Sequence, residues 1–148
     1  MIIREMEIED LEQIMPMEKE CFSVPWTENG FFTFLIRQDT LFLVAEEEGE
    51  ILGYIGILTV LEEGEIANVC VRPSARRRRV GARLLEALLD RMKAKGVTTI
   101  HLEVRESNTA AIALYEKYGF IRDGLRRGYY EEPKEDALLM SRQAPGVT

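Results

Sequence analysis

Along this chain the spacing of apolar residues switches between every second position and every third or fourth, and the switches outline its elements. Ile66-Ala67-Asn68-Val69-Cys70-Val71 is a short, nearly continuous apolar run that stops just before Pro73, the pattern of a buried strand. Leu84, Leu85, Leu88, Leu89 and Met92 then recur at helical spacing, with Arg83, Glu86, Asp90, Arg91 and Lys93 on the opposite face. Gly96 marks the stop of that helix. From Thr98 to Val104 the period is two, with Ile100, Leu102 and Val104 on one side and Thr99, His101 and Glu103 on the other. The three segments predict a strand, helix, strand unit of the parallel crossover type.

The flanking segments follow the same logic. Met1 to Met6 predicts an edge strand, and Asp10 to Phe22 a first helix carrying Leu11, Ile14, Met15 and Met17, bent or shortened by Pro16. Ser23-Val24-Pro25-Trp26-Thr27 predicts a turn and an N-cap, with Trp26 stapling a helix over Glu28 to Arg37 whose buried stripe is Phe31, Phe32 and Leu35. Leu41 to Ala45 and Ile51 to Leu61 are strands joined through Glu47-Glu48-Gly49-Glu50, and the second pairs with the run beginning near Gly64. Asn108 caps a helix over Thr109 to Tyr118 that Gly119 closes, placing Ala111, Tyr115 and Tyr118 on one face. Phe120 to Tyr130 and Ala137 to Ser141 form a last antiparallel pair around the acidic loop Glu131 to Asp136. The expectation is one α/β (α+β) domain over residues 1–142, with about four helices and a disordered tail over 143–148. Its sheet is mixed and mostly antiparallel, with a central parallel pair.

Composition narrows the class. With 148 residues, 46% apolar and 30% charged, the chain can bury one core. A net charge of -7 argues against nucleic acid as a general partner and favours a basic ligand or peptide. Cys21 and Cys70 are too few for a disulfide framework, and Cys70 lies in an apparent core strand, so the pair reads as free thiols of a reducing compartment. No secretory signal opens the chain, and the longest apolar stretch, Ile51 to Val60, is too short to span a bilayer. A cytoplasmic protein without membrane contact is the default reading.

The candidate chemistry centres on the loop entering the crossover helix. A helix N-terminus offers unpaired N–H groups beside the positive end of its dipole, and here four arginines, Arg76 to Arg79, stand before it. That position favours a phosphate-bearing ligand over a solvated charge cluster, although neither a nucleotide P-loop nor a dinucleotide fingerprint is present. Glu103 falls at the carboxyl end of a strand, where open sheets place ligands, but it reads equally as an exposed carboxylate on a polar strand face. Tyr115 taken alone is more often a core aromatic than a catalyst. His101 is the one histidine, and no metal-ligand spacing surrounds it, so no metal is expected.

Three segments together resemble the GNAT superfamily of acetyl-CoA-dependent N-acetyltransferases. They are Val71-Arg72-Pro73 with the arginine and glycine loop, Leu102-Glu103-Val104-Arg105-Glu106-Ser107-Asn108, and Ala111 through Phe120. Pro25-Trp26, Arg126-Arg127-Gly128-Tyr129-Tyr130 and Glu135-Asp136-Ala137 resemble the branch that acetylates protein N-termini, in particular the N-terminal alanine of the eighteenth small-subunit ribosomal protein.

The resemblance implies a GNAT-like fold whose central parallel strands splay apart to hold acetyl-CoA. It implies cofactor contacts from Val69, Cys70 and Val71, from Arg76, Arg77, Arg78, Arg79, Val80, Gly81 and Ala82, and from Asn108. Glu103 would be the base and Tyr115 the acid. The acceptor, a peptide N-terminus, would lie between the turn carrying Phe22 and Trp26 and the loop carrying Tyr129, Tyr130, Glu135 and Asp136, with Glu131 and Glu132 adding to the attraction for a basic second residue. One departure from the family loop is Arg79 in place of its first glycine; a site in the first helical turn is expected to need no positive φ. A protein N-terminal acetyltransferase of broader specificity, an enzyme for small amines and a non-catalytic acyl-CoA-binding module remain the competing readings. The oligomeric state is not encoded in any of these patterns.

Overall fold

The computed structural model describes residues 1–22 and 25–145. In chain order the elements are β1 (Ile2–Glu5), α1 (Leu11–Cys21), α2 (Glu28–Leu35), β2 (Thr40–Glu47), β3 (Glu50–Val60), β4 (Glu63–Val71), α3 (Val80–Lys95), β5 (Thr99–Arg105), α4 (Thr109–Lys117), β6 (Ile121–Tyr130) and β7 (Glu135–Gln143), with one turn of 3₁₀ helix at Ile8–Asp10 and another at Pro73–Ala75. The strands form a single sheet in the order β1-β2-β3-β4-β5-β7-β6. Every neighbouring pair is antiparallel except β4 and β5.

That one parallel pairing is short. It joins Glu63, Gly64 and Glu65 to Thr99, Ile100 and His101, and then stops. Beyond it β4 stays with β3 as far as Val71 opposite Gly53, and β5 stays with β7 as far as Arg105 opposite Ala137. A register shift leaves Ala67 unmatched between Ile66↔Ile57 and Asn68↔Gly56, and such a bulge bends its strand. The sheet therefore opens into a V between β4 and β5. This explains one departure from expectation: β4 is not a fully buried strand, because Val69 and Val71 are only half-buried where β5 has left them.

Alternation along the strands sends side chains into two layers. Leu43, Ile55, Ile57, Ile100, Leu102, Val104 and Met140 meet the apolar face of α3, and Ile112 and Tyr115 of α4 join them. On the other side Phe42, Val44, Tyr54 and Cys70 meet Leu11, Ile14 and Met17 of α1 and Phe31 of α2. Gly96 closes α3 at φ +84°, and Glu48 and Gly49 turn the β2–β3 hairpin at φ +51° and +81°, the two left-handed positions of a type I′ turn.

Pro16 neither breaks nor shortens α1, which runs to Cys21. A helix-interior proline costs ~3 kcal/mol, whereas burying Leu11, Ile14 and Met17 returns roughly 1.5–3 kcal/mol each. Thr27 caps α2 as expected, accepting from Gly30 N–H at 3.0 Å, but the helix ends at Leu35 and Phe32 points outward, while Trp26 stacks on Phe34 at 5.0 Å. Strand β7 continues through Gln143, and Ala144 N–H donates to Thr98 O at 2.7 Å, so order extends past the expected start of the tail. The Ser23-Val24 part of the expected turn and the tail residues 146–148 lie outside the described residues.

The reading of two free cysteines is corrected. Cys21, at the end of α1, and Cys70, in β4, form a disulfide with their Cα atoms 6.3 Å apart. Nothing in a separation of 49 residues announces it; the pair meets because α1 packs across β4. Among the described residues no helix is long and apolar enough to cross a membrane.

Candidate active site

The V between β4 and β5 exposes backbone as well as side chains. Arg72 N–H bonds Leu52 O at 2.8 Å, so the residues two and four back, Cys70 and Asn68, also face β3 with their peptide groups, and Val69 and Val71 direct theirs into the gap. A strand edge that no neighbouring strand covers can pair with an extended amide chain.

At the mouth of the gap α3 begins. Its first capping bond runs from Arg83 N–H to Arg79 O, which leaves the N–H groups of Val80, Gly81 and Ala82 without partners inside the helix. The preceding backbone is left-handed at both Arg77 (φ +68°) and Arg79 (φ +62°, ψ +19°). The expectation that position 79 needs no positive φ is therefore wrong: Arg79 is the N-cap residue, outside the first helical turn, and it adopts the left-handed conformation that the family glycine would take freely. A left-handed residue followed by right-handed ones gathers successive N–H groups into an anion-binding concavity. Of the four guanidinium groups, Arg78 pairs with Glu47 and Arg79 leans along the helix toward Glu86 at 3.9 Å, while Arg76 Nη2 lies 3.9 Å from Cys21 Sγ. Asn108 caps α4, its Oδ1 accepting from Ala111 N–H at 3.3 Å, which binds that side chain to its own helix in the free protein.

On the α1/α2 face of the sheet, β5 presents His101 and Glu103 to a cleft of about 400 Å³ that Glu65, Asp123, Arg126 and Leu139 complete. Glu103 Oε1 sits 3.2 Å from Arg126 Nη1. Arg126 also covers the ring of Tyr129 at 5.0 Å, and Tyr129 meets Tyr130 edge-on at 5.1 Å. The Glu103 carboxylate, more than burial, raises the Tyr129 hydroxyl above its ordinary value. Burial and then Glu103 push Tyr130 up to about 12. Burial and then Tyr130 push Tyr115 up to about 12. Each group thus feels the next, in the order Glu103, Tyr130, Tyr115, although Glu103 and Tyr115 belong to opposite faces of the sheet.

The loop between β6 and β7 is held by a residue to which the sequence assigned no role. Arg105 stacks over Tyr130 at 4.5 Å, donates to Pro133 O at 2.9 Å and Glu131 O at 3.2 Å, and pairs with Glu135 Oε1 at 3.2 Å. Glu135 Oε2 accepts from Ser107 N–H at 2.6 Å, and these partners hold its carboxyl below the usual range. Asp136 Oδ1 accepts from Gly128 N–H at 2.8 Å. In the free protein Glu135 and Asp136 therefore shape the loop, and the carboxylates that line the cleft are Glu65, Glu103 and Asp123. Arg126 and Asp123 were missed because β6 is exposed along most of its length and carries no periodic signal. Trp26, with Phe22 beside it, packs on the second core cluster at the start of α2.

Residues 11–120 match the acetyltransferase (GNAT) family. The chain belongs to this family. Over 143 residues it is 36% identical to the ribosomal protein bS18-alanine N-acetyltransferase of Escherichia coli, across 94% of this chain and 95% of that protein. Over 139 residues it is 34% identical to a putative ribosomal protein bS18-alanine N-acetyltransferase of Bacillus subtilis, across 93% and 92% respectively. The crystal structure of the ribosomal-protein-S18-alanine N-acetyltransferase from Escherichia coli aligns with a TM-score of 0.89 at 33% identity, covering 99% of this chain and 98% of that one. The chain is an acetyl-CoA-dependent N-acetyltransferase, with the single-domain fold that goes with that activity. Its acetyltransferase architecture fits the donor on this chain's own geometry: the unpaired N–H groups of Val80 to Ala82 suit a pyrophosphate, and the open peptide edge at Val69 and Val71 suits an amide-bearing arm.

Proposed function

We propose that this enzyme acetylates the N-terminal α-amino group of a protein, the alanine of ribosomal protein bS18, with Glu103 as base and Tyr115 as acid. The observation that carries the reading is the placement of Glu103 in a cleft beside Arg126, on the part of β5 just past its last pairing with β4 at His101. The donor would lie along Val69, Cys70 and Val71 with its phosphates on residues 76–82 and Asn108 near its arm; it supplies the acetyl group as a thioester.

An α-ammonium of pKa near ~8 is mostly protonated at neutral pH and cannot attack until it loses a proton. Glu103 takes that proton, directly or through water, and the ion pair with Arg126 holds the carboxylate in place until the acceptor arrives. Tyr115, with its hydroxyl pushed up to about 12, stays protonated at working pH and can give its proton to the departing sulfur. Its ring comes from the α3/α4 layer, so the opening between β4 and β5 is the route by which it would reach the same point as Glu103. The attack is direct, and neither Cys21 nor Cys70 is free to serve as a nucleophile.

The acceptor would enter past Phe22 and Trp26 on one flank and Tyr129 and Tyr130 on the other. The carboxylates of Glu65 and Asp123, with those of the Glu131 to Asp136 loop, favour a basic second residue. A ribosomal acceptor implies the cytoplasm as the place of reaction. The test is acetyl transfer to peptides beginning Ala-Arg, Ala-Ala and Ser-Glu, followed by mass. Ala-Arg is expected to be acetylated fastest by at least about tenfold. Equal rates on all three would replace the reading by a broad N-terminal specificity, and transfer to small amines alone would overturn it.

A further inference from the structure

Helix α1 buries a carboxylate where its pattern calls for an apolar side chain. Glu18 is 0% exposed and shares the buried face of α1 with Leu11, Ile14 and Met17. Its Oε1 accepts from the backbone N–H of Trp26 at 3.1 Å and from Asn68 Nδ2 at 3.4 Å, and its Oε2 accepts from the Tyr54 hydroxyl. Asn68 Nδ2 also donates to Tyr54 Oη at 2.6 Å, while Asn68 Oδ1 accepts from the backbone N–H of Val69 at 3.2 Å. Among the described residues no Lys or Arg pairs with Glu18.

We propose that Glu18 is a positioning residue that couples the acceptor side of the site to its acetyl-CoA side. The inference rests on the placement of acceptor and donor given above. Burying a carboxyl without a counter-charge costs stability, and an apolar residue of similar volume would serve the core better. What the carboxyl supplies is a junction. One oxygen fixes the backbone of Trp26 at the entry to α2. Through Asn68 the same group reaches Val69 N–H, one of the two peptide groups that face the gap, at the first residues past the bulge where β4 leaves β5. Asn68 cannot reorient to release or present that N–H without disturbing its bonds to Tyr54 and Glu18, so the two halves of the site share one hydrogen-bonded unit.

The test uses Glu18→Gln, Glu18→Met and Asn68→Ala in the full-length enzyme. Melting temperature, acetyl-CoA binding by calorimetry and steady-state kinetics with the parent's best acceptor are measured for each. Glu18→Met gains an apolar side chain in the core but leaves the donors of Trp26, Tyr54 and Asn68 without their acceptor, so it is expected to stay folded and melt within about 5 °C of the parent. It should nonetheless weaken acetyl-CoA binding and raise KM for the acceptor, each by about three- to tenfold, with kcat changed less. Glu18→Gln, which keeps one acceptor oxygen, should fall between Met and parent. Asn68→Ala breaks the junction outside the core, so it is expected to weaken acetyl-CoA binding while leaving the acceptor KM near the parent value. Parental acetyl-CoA affinity in Asn68→Ala, or parental values of both constants in either folded Glu18 variant, would overturn the inference and leave Glu18 a packing residue. A wrong assignment of the acceptor would show instead in the parent enzyme, since calorimetry with acetyl-CoA does not depend on it.

Discussion

Arg126 Nη1 lies 3.2 Å from Glu103 Oε1, reaching across β7 from the outermost strand of the sheet. The guanidinium is half-exposed and the carboxylate is 19% exposed, so the pair is a surface contact at the rim of the cleft and contributes little to stability. Its meaning is local: a guanidinium stands beside the carboxylate proposed as the base.

Glu103→Gln preserves size and removes the proposed base. Turnover is expected to fall by about a hundredfold or more with acetyl-CoA affinity unchanged. Parental turnover across the pH range, or weaker acetyl-CoA binding with parental turnover, would return Glu103 to a surface role.

Tyr115→Phe removes only the hydroxyl, and the ring keeps its contact with Phe120 at 5.6 Å. Stability should change by less than about 0.5 kcal/mol while kcat drops by about tenfold or more. Because the phenol is pushed up to about 12, it holds its proton until pH rises toward that value. Any basic limb seen between pH 7 and 10 must then belong to another group and should persist in the variant. A loss of melting temperature with parental kcat would show that the hydroxyl serves the core.

Arg79→Gly separates backbone from side chain. A non-glycine residue at φ +62° carries strain on the order of 1 kcal/mol, part of which is offset in glycine by its freer unfolded chain. The variant should melt about 1–3 °C higher. Loss of the guanidinium should also weaken acetyl-CoA binding at low salt by about two- to tenfold, and that deficit should shrink as salt rises. Tighter binding at both salts would mean that the side chain crowds the pyrophosphate.

Arg4 grips Asp10 with both terminal nitrogens at 2.8 Å, and Asp10 also accepts from Glu7 N–H at 2.7 Å. These bonds, led by Arg4, lower the carboxyl from its ordinary 3.8. A folded value below the unfolded one contributes stability that is fully present above about pH 4 and is lost as pH falls through the folded value. Asp10→Asn should cost about 1–3 kcal/mol at pH 7, and the gap between variant and parent should close below pH 4 in denaturant titrations. A gap that persists at pH 2 would locate the loss in packing.

The Cys21–Cys70 bond spans a sequence separation of 49, for which chain entropy alone gives a stabilisation of about 4 kcal/mol. Melting with and without reductant should differ accordingly, and Cys70→Ser should abolish the difference. Equal melting curves would show that the bond does not form in solution.

Periodicity within the chain was enough to delimit the crossover unit, both hairpin strands around Gly49, the cap at Asn108 and the stop at Gly96, because each depends on residues within a few positions of one another. The Ala111 to Phe120 segment and the arginine loop were legible for the same reason, and they pointed to the family. What decided the site was contact between segments far apart. The V between β4 and β5 follows from a bulge at Ala67 and from β7 inserting beside β5, neither of which changes the apolar pattern of the strands involved. Arg126 reaches Glu103, Arg105 reaches Glu135, and Cys21 reaches Cys70 only after the sheet is assembled. Arg79 shows the limit even at short range: its expected place in the first helical turn argued for a right-handed backbone, whereas it is the N-cap residue, one position before that turn, and is left-handed. Sequence thus determined which elements exist and which chemistry they can carry. Only tertiary packing decided which of those groups face one another, because a side chain's partner is set by the register and divergence of strands that one-dimensional spacing does not contain.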